Sequence, residues 1–245
     1  MALSITKEAF RFKQFSVLVS PGVFPITTDA VLLGSWIQLD SSDRILDIGT
    51  GSGILSLMAA QKAAVHANIT ALDSDKNSVQ CATYNFEQSP WQSKLNAYCL
   101  NAEDLLNSNL NHQLGYRFDQ IICNPPYFSD SLLSPNGDKN RARHQFSLSF
   151  PLLVKIAEAY LNPDGKISLV LPAVGSDMLV NQMQRVDLCL SRVLKVRNKH
   201  ASKTNRVLLE FAKSKTGCVE FELFLYDENG KRSKEYSILT QEFYL

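Results

Sequence analysis

Apolar and polar positions alternate along this chain with two different periods. Arg44-Ile-Leu-Asp-Ile48 is a short apolar run closed by glycines. Ile54 to Ala64 is rich in Leu, Met and Ala and predicts a helix. Asn68 to Leu72 reads as a second strand, ending in Asp73-Ser-Asp75, where Asp75 is placed to cap a helix running to about Gln88. Leu95 to Leu100 predicts a third strand and Arg117 to Cys123 a fourth. Between Phe146 and Leu161, Leu148, Leu152, Ile156 and Ala159 recur at helical spacing. Asn162-Pro-Asp-Gly165 then predicts a turn into a fifth strand, Lys166 to Leu171. Strands alternating with helices predict a mainly parallel α/β sheet covered on both faces.

The tail has a different rhythm. Asp187 to Val196 and Arg206 to Lys213 are strand-like, and Val219 to Leu225 alternates with period two. Asp227-Glu-Asn-Gly230 signals a turn into a last short strand near Tyr236 to Leu239. Consecutive strands predict antiparallel pairing at a sheet edge and a C-terminal hairpin. With no repeat, low-complexity tract or linker in view, residues 1–245 read as one domain. Its parts are a covering segment at 1–43, a core at 44–215 and C-terminal strands at 216–245.

Composition narrows the possibilities. The chain of 245 residues is 45% hydrophobic and 20% charged, enough for one sizeable core. No apolar stretch has the length of a membrane span, and the start lacks a secretion-signal pattern, so a cytoplasmic protein is expected. The five cysteines are scattered, with no Cys-x-x-Cys pair, and read as reduced, mostly buried thiols; no metal site is expected. A net charge of +1 means that any polyanion-binding surface depends on uneven placement of charge.

Candidate chemistry begins at Leu46-Asp-Ile-Gly-Thr-Gly-Ser-Gly53, which leaves a strand and opens a helix. Gly49, Gly51 and Gly53 let the backbone turn sharply and approach a ligand, and amides at the helix start can receive an anionic oxygen. Asp73, 20 residues after Gly53, ends the next strand, where a carboxylate can accept both hydroxyls of a ribose. Two readings remain, a dinucleotide and S-adenosylmethionine. The spacing Gly-x-Gly-x-Gly departs from the dinucleotide pattern, and Asp47 suits an ammonium group better than a pyrophosphate.

The fourth strand ends Cys123-Asn-Pro-Pro-Tyr127-Phe128. A ring-conjugated amine is a poor nucleophile until acceptors hold its N–H bonds and favour a pyramidal nitrogen. The Asn124 side-chain carbonyl and the Pro125 backbone carbonyl are suited to that role, Pro126 stiffens the loop, and Tyr127 offers a face for a splayed-out base. Ligands of open parallel sheets bind beyond the carboxyl ends of the strands, so this motif and the glycine turn are expected to share one crevice.

Together these motifs resemble the class I S-adenosylmethionine-dependent methyltransferases of the Asn-Pro-Pro-Tyr type, which act on adenine N6, guanine N2 or a glutamine amide. The resemblance implies a Rossmann-like fold with a seven-stranded, mostly parallel sheet whose last strand is antiparallel, here with an extra C-terminal hairpin. It implies that Asp47, Gly49, Gly51 and Gly53 line the methionine end of the cofactor and that Asp73 holds the ribose. Asn101, with Asp104 nearby, stands where the family often has an adenine-contacting acid. Phe12-Lys-Gln-Phe15, Thr28-Asp-Ala-Val-Leu-Leu-Gly34, Arg143-His144 with Phe146, and Asn205-Arg206-Val-Leu-Leu-Glu210 are similar to bacterial tRNA1(Val) (adenine-37-N6) methyltransferases. That likeness implies a role for Thr28 and Asp29 over the methionyl end, whereas by themselves they read as a helix cap before Ala30 to Ile37.

A tRNA substrate calls for basic surface. Between Arg185 and Lys215 stand nine basic residues, Arg197 and Lys199 among them, against only Asp187 and Glu210; Lys139 to His144 follows the acceptor loop. The expected substrate contacts are Tyr127, Phe128, Arg143, His144, Arg197 and Lys199, the cofactor is S-adenosylmethionine (leaving as S-adenosylhomocysteine), and no protein partner is evident. Rival readings are a guanine-N2 rRNA enzyme, a protein-glutamine methyltransferase (which carries a helical domain ahead of the first strand), and a non-catalytic RNA- or nucleotide-binding module. A nicotinamide oxidoreductase fits less well, since no Tyr-x-x-x-Lys is present.

Overall fold

A computed structural model describes residues 9–39, 42–106, 117–125, 148–213 and 217–245. Two short strands, β1 (Phe10–Arg11) and β2 (Ser16–Val17), pair antiparallel and lead to helix α1 (Thr28–Trp36). Then come β3 (Arg44–Ile48), α2 (Ile54–Lys62), β4 (Asn68–Asp73), α3 (Lys76–Glu87), β5 (Leu95–Cys99) and β6 (Phe118–Cys123). The remainder is α4 (Phe150–Tyr160), β7 (Leu161–Pro172), α5 (Ser176–Gln184), β8 (Cys189–Arg197), β9 (Thr204–Ala212), β10 (Val219–Phe224) and α6 (Lys234–Thr240). Asp75 caps α3 as expected, its carboxylate accepting from the Ser78 amide.

Among the described residues, eight strands form one sheet in the order β10-β8-β9-β7-β6-β3-β4-β5. β5, β4, β3, β6 and β7 are parallel neighbours, and β9 runs antiparallel between β7 and β8. The central strands are buried on both sides, so their apolar residues divide between two cores. Ile45, Ile69, Ile122, Val170 and Leu208 face α1, α2 and α3, whereas Leu46, Ile121, Leu169 and Leu209 face α4 and α5. Gly34 lets α1 lie close on α2, since a Cβ there would stand 2.5 Å from the Met58 sulfur.

The expected α/β class and antiparallel strand are present, and several details differ. The seventh strand of the sheet in chain order, β9, is the antiparallel one, as expected, but no C-terminal hairpin of two strands exists among the described residues. β10 lies outside β8 and parallel to it. β9 ends at the edge where β8 begins, so a strand starting there and laid outside β8 must run with β8. Tyr236 to Leu239 belongs to α6, because the Ser233 hydroxyl accepts from the Tyr236 amide and caps a helix whose Tyr236 and Thr240 are buried. Helix α5 has no clear signature in the sequence, and its start is Gly175 in a left-handed conformation. The Asn162 to Gly165 turn is absorbed into β7 as a register shift against β6. Of the cysteines, Cys81 and Cys123 are buried while Cys99 and Cys218 are exposed.

Candidate active site

Hydrogen-bond register brings the ends of four parallel strands together. Ile48 pairs with Cys123 of β6 and with Leu72 of β4, and Asp73 pairs with Cys99 of β5. Gly49, Asp73 and Asn124 therefore leave the sheet along one edge, with β3 and β6 adjacent at about 4.8 Å. The two motifs share an edge rather than facing apart. Asn124 is half-buried and Pro125 buried. Pro126, Tyr127, Phe128, Arg143 and His144 lie outside the described residues.

The glycine turn is held by its neighbours in the sheet. The Gly49 and Thr50 amides both donate to the Leu72 carbonyl, at 2.8 and 2.9 Å, and the Gly51 amide donates to the Asp73 carboxylate at 2.8 Å. Gly49 and Gly51 have φ of 76° and 55°, and a Cβ at either would meet nothing within 4 Å. The turn thus presents bare backbone to open space, a cradle suited to a ligand that must come close. Gly53 differs: a Cβ there would stand 2.5 Å from the Phe86 ring.

Asp47 is fully buried beneath the turn. Its Oδ2 accepts from the Thr50 and Ser56 hydroxyls, both at 2.7 Å, while its Oδ1 is buried with no hydrogen-bond partner among the described residues. Burial pushes the carboxyl up to about 6, against those hydrogen bonds and with help from the charge of Asp73. A buried carboxylate oxygen without a partner fits a cationic ligand group, and the open cradle above it fits the rest of that ligand. Asp73 is also shifted upward, chiefly by burial, although the amides of Asp75 and Gly51 hold its charge.

The other expected contacts divide. The Asn101 side-chain oxygen accepts from the Glu103 amide, opening a short 3-10 turn, Ala102–Leu106. Thr28 is exposed in the first turn of α1, whose cap is Thr27, accepting from the Ala30 amide; the predicted cap is thus displaced by one residue. Asp29 is buried and ion-paired with Arg206 at the start of β9, tying α1 to the same sheet edge. Arg197 is paired with Glu222 of β10 at 2.9 Å, while Lys199 stands exposed in the β8–β9 turn.

Asn85 carries no signal in the sequence that marks it for this site. Buried in α3, Asn85 accepts from the Leu18 amide and donates to the carbonyls of Leu18 and Ser52. It bolts the N-terminal strap onto the glycine turn. Two residues further along that strap the Ser20 hydroxyl is buried and unpartnered among the described residues. An Asn in mid-helix gives no local sign of such a role, because both of its partners come from elsewhere in the chain.

The family model described as "Methyltransferase small domain" matches residues 14–186. A Bacteroides fragilis protein named tRNA1(Val) (adenine(37)-N6)-methyltransferase is 40% identical over 241 residues, covering 98% of this chain and 99% of its own. A Vibrio vulnificus protein of the same name is 37% identical, covering 99% of this chain and 98% of its own. Among solved structures, a predicted O-methyltransferase from Agrobacterium tumefaciens superposes with a TM-score of 0.65 at 16% identity, over 88% of this chain and 96% of that one. A putative RNA methyltransferase from Pyrococcus horikoshii gives 0.52 at 16% identity, over 75% and 80%. At those identities the two structures speak for the fold alone.

Proposed function

Because this chain belongs to the methyltransferase small domain family, and within it to the tRNA1(Val) (adenine(37)-N6)-methyltransferases, we propose that it methylates the N6 amine of an adenine in tRNA, adenine 37 of a valine tRNA. The observation that carries this reading is the β3–β6 register, which sets the open glycine cradle beside Asn124.

S-adenosylmethionine, when bound, supplies a methyl group on a sulfonium sulfur. The chain's own residues do the rest. Gly49 and Gly51 would let the backbone approach the methionyl end, the unpartnered Oδ1 of Asp47 would receive its ammonium, and Asp73 would receive the ribose hydroxyls. The Asn124 side-chain oxygen and the Pro125 carbonyl accept the two N–H bonds of the adenine amine, which restores its lone pair. With the amine held this way its nitrogen would be free to take up the donor's methyl group, and the proton it then sheds could pass to water. No strong general base is needed. Pro126 and Tyr127, outside the described residues, are the ones whose residue types suit a stiff loop and a stacking face in this reading. A tRNA substrate also sets the place of action in the cytoplasm.

The test is methyl transfer from a tritiated donor to total tRNA, rRNA and protein of a strain lacking this gene, with mapping of the product. Label recovered as N6-methyladenosine in tRNA supports the proposal. Label in N2-methylguanosine or methylglutamine overturns it. Asn124→Ala is expected to lower transfer by about 10²–10³-fold, the cost of removing one preorganised polar group from such a site, with donor affinity within about threefold of wild type.

A further inference from the structure

The basic window between Arg185 and Lys215 is not one surface. The fold takes four of its charges out of play. Arg192 pairs with buried Glu210 at 3.1 Å, Lys195 with Glu220 at 2.6 Å, Arg197 with Glu222 at 2.9 Å, and Arg206 with Asp29. What remains at the carboxyl edge of the sheet is the β8–β9 turn, where Lys199, His200 and Lys203 are all exposed and no acidic residue interrupts them. That turn is preorganised. The Ser202 hydroxyl accepts from the Lys199 amide at 2.9 Å and donates to the Lys199 carbonyl at 2.6 Å. The exposed His200 ring lies flat on Phe224, with centroids 3.8 Å apart and planes at 22°.

A second turn lies against it. β10 runs in register with β8, and beyond its end the Leu225 and Tyr226 amides donate to the carbonyls of Arg197 and Asn198. The next residues, 227–234, therefore turn beside 198–203, and they bring the exposed Lys231 and Lys234 to the same edge. Arg232 is spread over the rings of Tyr244 and Tyr236. The acids in this turn and the first turn of α6 are Asp227, whose carboxylate accepts from the Lys231 amide at 2.8 Å, and the exposed Glu228 and Glu235.

We propose that Lys199, Lys203 and Lys231, from two turns far apart in sequence, form a phosphate-binding patch for the RNA substrate. This rests on the proposed function. Strand order gives the distance. β8 and β10 stand three and four strands from β6, so the patch is roughly 14 to 19 Å from Asn124 at about 4.8 Å per strand. A few nucleotides on either side of a base held at Asn124 span that distance. Exposed lysines without carboxylate partners among the described residues suit phosphates, since each contact releases condensed counterions and needs no base identity.

The experiment measures binding of unmodified tRNA by fluorescence anisotropy between 50 and 200 mM salt. The variant K199Q/K203Q/K231Q is expected to bind at least tenfold more weakly at low salt. Its slope of log K against log salt is expected to be shallower by about 2, from roughly 0.7–0.9 for each phosphate that is no longer neutralised. The variant K195Q/E220Q, which removes an ion pair already closed, is expected to keep the wild-type slope. Melting temperature and donor affinity confirm that both variants are folded. A triple variant with wild-type slope and affinity overturns the patch. Methyl transfer by wild-type protein in the same preparation separates the two ideas: tRNA bound with these slopes but never methylated sinks the proposed function and leaves the patch standing. Wild-type protein that fails to bind tRNA sinks both.

Discussion

Asp47 is a buried carboxyl held at the expense of the fold. Its carboxyl is raised from an ordinary 3.8 to about 6, so the folded state holds this proton more tightly than the unfolded chain does. Stability therefore falls as pH rises from about 4 to about 6, and the deficit, about 3 kcal/mol, persists above. Asp47→Asn keeps an acceptor for Thr50 and Ser56 and removes the charge. The variant is expected to melt higher than wild type at pH 7 and equally at pH 4, and to bind S-adenosylmethionine about tenfold or more weakly. Thermal melts at the two pH values and calorimetric titration check both halves. A variant that melts lower at pH 7 contradicts the burial argument, and one with unchanged donor affinity removes Asp47 from the ammonium site.

Elements in this molecule are joined by single polar side chains that reach between them. Lys62 of α2 donates to the carbonyls of Ser35 and Ile37 at the end of α1, and Lys94 donates to those of Ala60, Ala63 and Ala64 at the end of α2. Each supplies a cation where a helix leaves carbonyls unpaired and its dipole is negative. Asn85 joins three elements at once, so Asn85→Ala leaves the Leu18 amide and the carbonyls of Leu18 and Ser52 buried without it. The expected cost is about 2–4 kcal/mol, because unmade buried hydrogen bonds are expensive. Donor affinity is expected to fall about tenfold, since the strap and the glycine turn lose their common anchor. Urea unfolding with donor titration reads the two effects, and a loss of stability with unaltered affinity makes Asn85 purely structural.

Across the whole molecule the two ends of the described chain meet. The Lys13 amide donates to the Phe243 carbonyl at 2.8 Å, Phe12 stacks near Tyr244, and Arg232 covers Tyr244. From this clasp the strap runs through Leu18 to the glycine turn and on to α1. Phe243 is 1% exposed. Phe243→Ala is expected to cost about 3–5 kcal/mol, the usual range for deleting a buried phenyl group, and to lower Tm by about 10 °C. Differential scanning calorimetry decides it, and a Tm within about 2 °C of wild type shows that the clasp contributes little.

Much of this was legible in the residues because it depends on local chemistry. Alternating strand and helix periods, the Asp75 cap, the glycines that need positive φ and the Asn-Pro-Pro run at the end of a strand each follow from neighbours a few positions apart. Their order along the chain then implied a parallel sheet with the motifs at one edge, and the register of β3 and β6 has that form. The tertiary structure alone decided which charges are free. Arg192, Lys195, Arg197 and Arg206 resembled surface cations until Glu210, Glu220, Glu222 and Asp29 arrived from neighbouring elements. It also decided the direction of β10, the helical fate of Tyr236 to Leu239 and the bolt at Asn85. The physical reason is common to all of these. Whether a polar group is paired, buried or solvated depends on what distant segments bring to it, and only the folded chain sets that company.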